Sequence, residues 1–483
     1  MPDAAAILPS LGALYALGAA IYIVSENRRP QASFAWLFLF LTLPVAGLAI
    51  YVLFGRQRVN VGRAGTLERQ DRPWERGEIM DLVRGEHEAA MEALEARGPA
   101  LARLARLVRS SADMRATTSN RVDLLFDAAE KYPRLERELA RARSSIHIEY
   151  YTWQNDGVTE RLEAILAERA AAGVEVRLLY DPIGSIAAFG PARRRRLKAR
   201  GIDARPFSPL WRLHAISYRN HRKIVVIDGR VGLTGGLNIG EEHLDPGEGY
   251  EVWRDTHLCL RGLAARALQR VFTTDWLNAT GEALAAERYF PRPSDEEAEG
   301  DAPVQLCLSG PDSEWRAIRQ QYNAMIVGAR RRVRVQSPFF LLDETLSEAL
   351  RGAALAGVDV AVMISRSGPG QFLPYWAAYT FYQEVAEAGV EVLLYEKGYL
   401  HAKTVVVDGE VASVGSGNWD MRSLYINYEL NALVYDAGVA SALEAAFERD
   451  RAGCRRFDPA AYRAAPRARR LRDSAARLVS PLM

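Results

Sequence analysis

Two stretches of the chain set a histidine two residues ahead of a lysine. The first reads His221-Arg222-Lys223-Ile224-Val225-Val226-Ile227-Asp228-Gly229 and leads, with six residues between, from the Asp into Gly235-Gly236-Leu237-Asn238. The second reads His401-Ala402-Lys403-Thr404-Val405-Val406-Val407-Asp408-Gly409 and leads, at the same spacing, into Gly415-Ser416-Gly417-Asn418. Imidazole can act as a nucleophile or carry a proton near neutral pH. A lysine beside it supplies positive charge of the kind that stabilises an oxyanion. One His-x-Lys on a strand is most simply a surface accident. Two with identical onward spacing to Asp and to Gly-x-x-Asn make a pair of half-sites, one able to supply a nucleophile and the other an acid.

The β-branched run after each lysine predicts a strand. Residues two apart share a strand face, so His221 and Lys223 point one way, as do His401 and Lys403. Asp228 and Asp408 fall on the opposite face, and each precedes a glycine, a strong hairpin signal. The aspartates therefore read as structural members of the motif and the His-Lys pairs as the chemical ones. Gly235 and Gly415 let backbone approach a ligand closely, while Asn238, Asn418 and Ser416 offer neutral hydrogen bonds.

The surrounding elements repeat too. A helical pattern over 132–142, a strand over 146–151, a helix over 159–172 and a strand over 173–179 recur as a helix over 314–330, a strand over 333–340, a helix over 344–356 and a strand over 357–364. This period is too long for a solenoid and predicts two copies of one α/β domain, at 116–290 and 304–457. Between them, 291–303 is an acidic Pro- and Gly-containing linker. Residues 57–115 read as a polar helical connector and 458–483 as a basic amphipathic tail.

Composition narrows the function classes. The 483 residues carry 62 basic and 60 acidic side chains, a net charge of +2, so no global basic field marks a nucleic-acid binder. Three scattered cysteines exclude a disulfide scaffold and a Cys-based zinc motif, and the seven histidines show no HExxH. Ala4 to Val24 and Gln31 to Gly55 are uncharged, each long enough at ~1.5 Å per residue to cross a ~30 Å bilayer core. Residues 1–56 are thus expected to form a transmembrane hairpin. No basic residue precedes the first run, which argues against a signal peptide. Arg28 and Arg29 in the hairpin loop are outnumbered by Arg56, Arg58, Arg63, Arg69 and Arg72 after it. That excess predicts a multi-pass protein of the cytoplasmic membrane with its α/β domains facing the cytoplasm.

The duplicated HxKxxxxD with G[GS]xN resembles the phospholipase D superfamily, and further blocks resemble its bacterial cardiolipin synthases. These are Tyr218 to Val226, Thr234 to Gly240, Trp253-Arg254-Asp255-Thr256-His257, Leu400 to Thr404, Asp420-Met421-Arg422-Ser423, and, in the hairpin, Ala35-Trp36-Leu37 and Phe54-Gly55. Gly417 and Trp419 depart from the commoner residues of the second motif. The resemblance implies two phospholipase D-like α/β domains, mixed sheets flanked by helices, about a pseudo-twofold axis. It implies a phosphohistidine intermediate, with His221 as nucleophile and His401 as acid and base, an order the sequence by itself does not set. Lys223 and Lys403 would supply fixed positive charge, and Asn238, Asn418 and Ser416 neutral donors, with no metal or other cofactor. Asp255 and Glu429, 34 and 28 residues after His221 and His401, resemble the carboxylates that orient the histidines.

The implied reaction converts two phosphatidylglycerols to cardiolipin and glycerol. A hydrolase or nuclease of the same superfamily and a non-catalytic membrane scaffold are the alternatives. Intact histidines argue against the scaffold; the hairpin and near-neutral charge argue against a nucleic-acid partner. The basic clusters at 193–200, 330–334 and 463–477 read as solvated faces that can also meet anionic lipid. The sequence does not indicate an oligomeric state.

Overall fold

The computed structural model describes residues 4–26, 30–51, 78–208, 217–247, 250–294 and 300–480. The amino-terminal helices form a unit of their own. The first uncharged run is one helix, α1 (Ala4–Ser25), and the second is two, α2 (Pro30–Thr42) and α3 (Pro44–Ile50). The break falls at Leu43, whose ψ of 70° leaves the helical region ahead of Pro44, as expected of a residue preceding proline. Ile23, Phe40 and Tyr51 are buried where the helices meet, and the Tyr15 hydroxyl donates to the Pro44 carbonyl at 2.7 Å. Among the described residues, no helix is long and apolar enough to cross a membrane. The expected connector is described from residue 78 onward; residues 57–77, like the core of the acidic linker at 295–299, lie outside the described residues.

The rest of the chain builds two mixed sheets. The first contains β1 (Asn120–Phe126), β2 (Ser145–Tyr150), β3 (Glu175–Tyr180), β4 (Ile202–Pro206), β5 (Ile224–Ile227) and β6 (Val231–Gly235); β7 (Trp253–Arg254) stands apart, and β8 (Thr256–Gly262) completes it. Its order is β1-β8-β6-β5-β2-β3-β4. The second contains β9 (Val304–Ser309), β10 (Arg332–Ser337), β11 (Asp359–Ser365) and β12 (Glu391–Tyr395); β13 (Tyr399–Leu400) stands apart, followed by β14 (Thr404–Val407), β15 (Val411–Gly415), β16 (Glu429–Val434) and β17 (Cys454–Arg456). Its order is β17-β12-β11-β10-β14-β15-β16-β9. In both, parallel strands joined by helical crossovers meet an antiparallel hairpin that follows the His-x-Lys. The two sheets therefore repeat one topology, as the duplicated pattern predicts.

Each lobe has its own core, and a third apolar cluster joins them. Ile224, Val226, Leu258 and Leu260 of the first sheet pack with Val406, Val414, Leu430 and Val434 of the second. The helix Pro99–Ala112, expected only as a connector, turns Leu101, Leu104 and Val108 into the second lobe's core beside Ile318 and Met325. Its apolar residues recur at three- and four-residue spacing, the pattern of a buried stripe.

Asp228 and Asp408 sit in the hairpin turns. Asp228 (φ +54°) and Gly229 (φ +64°) are both left-handed, as are Asp408 (φ +57°) and Gly409 (φ +69°), the backbone of a type I′ turn. The Asp228 carboxylate accepts from the backbone N–H groups of Arg143, Ser144 and Ser145 at 2.7–2.9 Å. That of Asp408 accepts from Arg330, Arg331 and Arg332 at 2.8–2.9 Å. Each aspartate thus ties its hairpin to the start of the neighbouring central strand, at the end of the hairpin remote from the histidine. Replacing Asp408 with Ala leaves three backbone donors short of a partner and a side chain without Asp's tolerance of φ > 0. Thermal unfolding should show a loss on the order of 2–4 kcal/mol, with the smaller loss for Asp408→Asn; unchanged stability for both variants contradicts the anchoring role.

Candidate active site

The segments that carry the histidines cross between the lobes. The His221 N–H donates to the Tyr428 carbonyl at 2.9 Å, and the Tyr428 N–H returns a bond to Arg219. In the mirror arrangement β13 runs parallel to β7, and the His401 N–H donates to the Arg254 carbonyl at 2.7 Å. Each histidine-bearing segment is therefore stitched to the stretch of the other lobe that leads into its carboxylate. Buried Arg254 adds an ion pair to Asp450 of the second lobe at 2.8 Å.

The consequence is an exchange of partners. His221 Nδ1 lies 3.0 Å from Glu429 Oε2, and His401 Nδ1 lies 2.7 Å from Asp255 Oδ2. The sequence spacing set each carboxylate after the histidine of its own repeat; the fold gives it to the histidine of the other. Both histidines keep only 8% of their surface exposed. Tyr151 lies edge-on to His221 with ring centres 5.0 Å apart, and Trp253 and Tyr399 wall His401 at 5.3 and 5.5 Å.

The two half-sites differ in detail. Glu429 is held at both oxygens, by the hydroxyls of Ser416 and Ser423. The second neighbour of His221 Nδ1 is the Ser416 carbonyl at 3.2 Å, so this nitrogen faces acceptors only. His401 Nδ1 faces the Asp255 carboxylate on one side and the Lys403 ammonium, 2.8 Å away, on the other. Lys223 Nζ donates to the His221 carbonyl at 2.6 Å, and Lys403 Nζ donates to the His401 carbonyl. Asn238 and Asn418 are buried with their side-chain oxygens unpartnered.

Gly235 and Gly415 serve a different purpose from the one expected. A Cβ on Gly235 (φ +152°) would strike His257 and the Thr256 carbonyl, and one on Gly415 would strike Asn431 and the Leu430 carbonyl. They make room for the adjacent strand of their own sheet, not for a ligand. Gly236, where the second repeat has Ser416, makes room for the Asp255 carboxylate.

Burial sets the electrostatics. It holds the His221 imidazole below its ordinary value, an effect that Glu429 opposes. His401 is held well below, by burial and then by Lys403 and Lys223. Burial raises Asp255. Burial alone would raise Glu429, yet His221, Lys223 and its hydrogen bonds bring it below the ordinary carboxylate range. Burial also brings Lys223 down to about 7 and Lys403 to about 8. Their charge, expected to be fixed, is thus titratable near neutrality, because both ammonium groups are out of water.

Several residues around the site carried no readable signal. Buried Asp181 accepts from the Asn220 N–H at 3.0 Å and so fixes the approach to His221. Lys131, on the helix Asp127–Ala140, is fully buried and donates to the Asn238 carbonyl at 2.7 Å, its ammonium over the rings of Tyr132 and Tyr150. A lysine in a helical stretch reads as solvated; only the packing shows otherwise. Among the described residues, no group of three or more His, Cys, Asp or Glu side chains could hold a metal ion.

Two lysines that titrate near pH 7 and 8 give anion binding a definite pH dependence. A bound phosphate or vanadate favours the charged lysines, so binding takes up protons. Affinity should fall as pH rises through 7 to 9, and calorimetry in buffers of different ionisation enthalpy should register the uptake. A flat profile over that range contradicts the lysine assignment.

The family profile described as cardiolipin synthase, phospholipase D-like domain matches residues 135–276 and 322–451, so both lobes are covered. The profile described as phospholipase D-nuclease N-terminal matches residues 14–56. The chain is 38% identical over 467 residues to a cardiolipin synthase of Geobacillus kaustophilus, spanning 96% of this chain and 91% of that one. It is 35% identical over 477 residues to the major cardiolipin synthase of Bacillus subtilis, spanning 96% of each. Among solved structures, the phosphatidylserine synthase of Haemophilus influenzae shares the fold, with a TM-score of 0.59 at 15% identity over 79% of this chain and all of that one. Matching profiles on both lobes and relatives of this identity along nearly the whole length lead to one conclusion: the chain belongs to the cardiolipin synthases of the phospholipase D superfamily.

Proposed function

We propose that the chain joins two phosphatidylglycerols into cardiolipin and glycerol, with the covalent intermediate on His221. The observation that carries the assignment of roles is the surroundings of the two Nδ1 atoms. His221 Nδ1 faces only acceptors, the Glu429 carboxylate and the Ser416 carbonyl. Its proton therefore belongs on Nδ1, which leaves the Nε2 lone pair for attack. His401 Nδ1 sits between an acceptor and a donor, an arrangement suited to a ring that must release and regain a proton.

In the first step the His221 Nε2 lone pair forms a bond to phosphorus as the bond from phosphorus to the glycerol oxygen breaks. His401, which takes up a proton as the anionic phosphodiester enters, donates it to that oxygen, and glycerol leaves. In the second step the terminal hydroxyl of another phosphatidylglycerol gives its proton to His401 and attacks phosphorus. The P–N bond breaks, cardiolipin leaves, and both histidines return to their starting states. Lys223 and Lys403, with the amides of Asn238 and Asn418, stabilise the charge that develops on the phosphoryl oxygens. Near-complete burial of the histidines and the walls of Tyr151, Trp253 and Tyr399 favour an alcohol over water as the second nucleophile. The amino-terminal helices hold the enzyme at the cytoplasmic membrane, with the lobes on the cytoplasmic side and anionic lipid as neighbour.

Incubation with labelled phosphatidylglycerol should yield cardiolipin and glycerol. Phosphatidic acid as the main product would mean hydrolysis, and no conversion would mean a scaffold. The roles separate by substitution. His221→Ala should abolish covalent trapping of lipid phosphate along with turnover. His401→Ala should lose ~10²–10⁴-fold with lipid and regain much of that with a nitrophenyl phosphodiester, whose leaving group needs no proton. Rescue of His221→Ala in place of His401→Ala would reverse the assignment.

A further inference from the structure

Some exposed apolar side chains of the catalytic lobes lie on loops that lead away from the histidine segments, while others, among them Val327, Leu355, Leu471 and Leu478, lie on helices. Strand β3 ends at Tyr180, and Asp181, directly after it, fixes Asn220 ahead of His221; the loop that follows exposes Ile183 and Ile186, the latter 70% accessible. That loop is clamped to the site: the Ser185 hydroxyl donates to the Tyr151 carbonyl at 2.8 Å, and the ring of Tyr151 walls His221. The second lobe repeats the arrangement. Strand β11 ends at Ser365, whose hydroxyl accepts from the Leu400 N–H ahead of His401; the loop that follows exposes Phe372, at 56%, and leads into a helix whose first residue, Leu373, is exposed too. Trp315, 53% exposed, lies on a third loop, which leaves β9 where Ser309 pairs with Glu429.

Charge accompanies these loops. Arg194 and Arg195 are exposed on the first turns of the helix Pro191–Ala199, directly after the first loop, and exposed Arg366, 3.5 Å from the Glu396 carboxylate, opens the second. Apolar side chains at the mouth of a site, with arginines beside them, match the layering of an anionic bilayer surface: headgroup phosphates above, acyl chains below.

We propose that this rim is a bilayer-docking surface. Ile183, Ile186, Trp315, Phe372 and Leu373 enter the headgroup and acyl boundary, and Arg194, Arg195 and Arg366 meet anionic headgroups. The mouth then opens onto the membrane, and a phosphodiester reaches the histidines without leaving its leaflet. The proposal rests on the reading of the site as one that acts on phospholipid. It concerns side chains of the catalytic lobes and not the amino-terminal helices.

The test uses the full-length enzyme and an Ile186→Asp, Phe372→Asp double variant. Each protein is assayed on phosphatidylglycerol in bilayer vesicles and on a water-soluble nitrophenyl phosphodiester, and its oligomeric state is measured by light scattering. Wild-type turnover of vesicle lipid establishes the underlying reading; its failure would sink that reading first and separately. Given that turnover, the double variant should lose about tenfold or more on vesicles, from the apolar surface no longer buried in lipid, and keep the soluble activity within about twofold. Equal losses on both substrates would mean a damaged site. No loss on vesicles would mean the rim does not dock. A change from oligomer to smaller species would mean the rim meets a second copy of the chain. Each of these three results overturns the proposal.

Discussion

Each histidine depends on a carboxylate from the other lobe, and the rest of the structure follows from that exchange. His221 pairs with Glu429 and His401 with Asp255 across the interface. Neither lobe alone contains a histidine with its orienting partner. The apolar cluster that joins the sheets, the backbone bonds through Tyr428 and Arg254, and the Arg254–Asp450 ion pair all hold this exchange in register. A shift of one lobe against the other would separate both pairs at once.

Such an arrangement places several charges where water is excluded, and burial of this kind is costly unless each charge is met. Glu429 is satisfied by His221, Ser416 and Ser423, and Asp255 by His401 and the Thr256 N–H at 2.7 Å. The lysines respond by losing proton affinity, to about 7 and about 8. Binding of a phosphate thus draws protons onto these lysines.

Much of this was legible in the residues. The Val- and Ile-rich runs after Lys223 and Lys403 marked β5 and β14, the Asp-Gly pairs marked their turns, and the repeat implied two lobes with one topology. The edge strands β1 and β9 were not read. In β1, Arg121 and Asp123 sit among apolar residues and blur any period, and β9 follows closely on the acidic stretch. The helix Pro99–Ala112 looked like a connector because its Arg residues, spaced between the apolar ones, dominate its composition. Lys131 and Asp181 could not be found, since an isolated charge declares its burial only once the fold surrounds it. Nor could the exchange of carboxylates. Spacing along the chain orders residues within a repeat, and which lobe a side chain faces depends on how the repeats dock.

The exchange is tested most directly by trapping the covalent intermediate in Asp255→Asn and Glu429→Gln, with a nitrophenyl phosphodiester and with phosphatidylglycerol. On the proposed roles, Glu429 serves the nucleophile and Asp255 the acid. Glu429→Gln should then trap poorly with both substrates. Asp255→Asn should trap the nitrophenyl ester at close to the wild-type rate and fail with phosphatidylglycerol. With the His221→Ala and His401→Ala variants placing the nucleophile on His221, the opposite pattern, Asp255→Asn unable to trap either substrate and Glu429→Gln rescued by the nitrophenyl ester, would show that each carboxylate serves the histidine of its own lobe and would contradict the account.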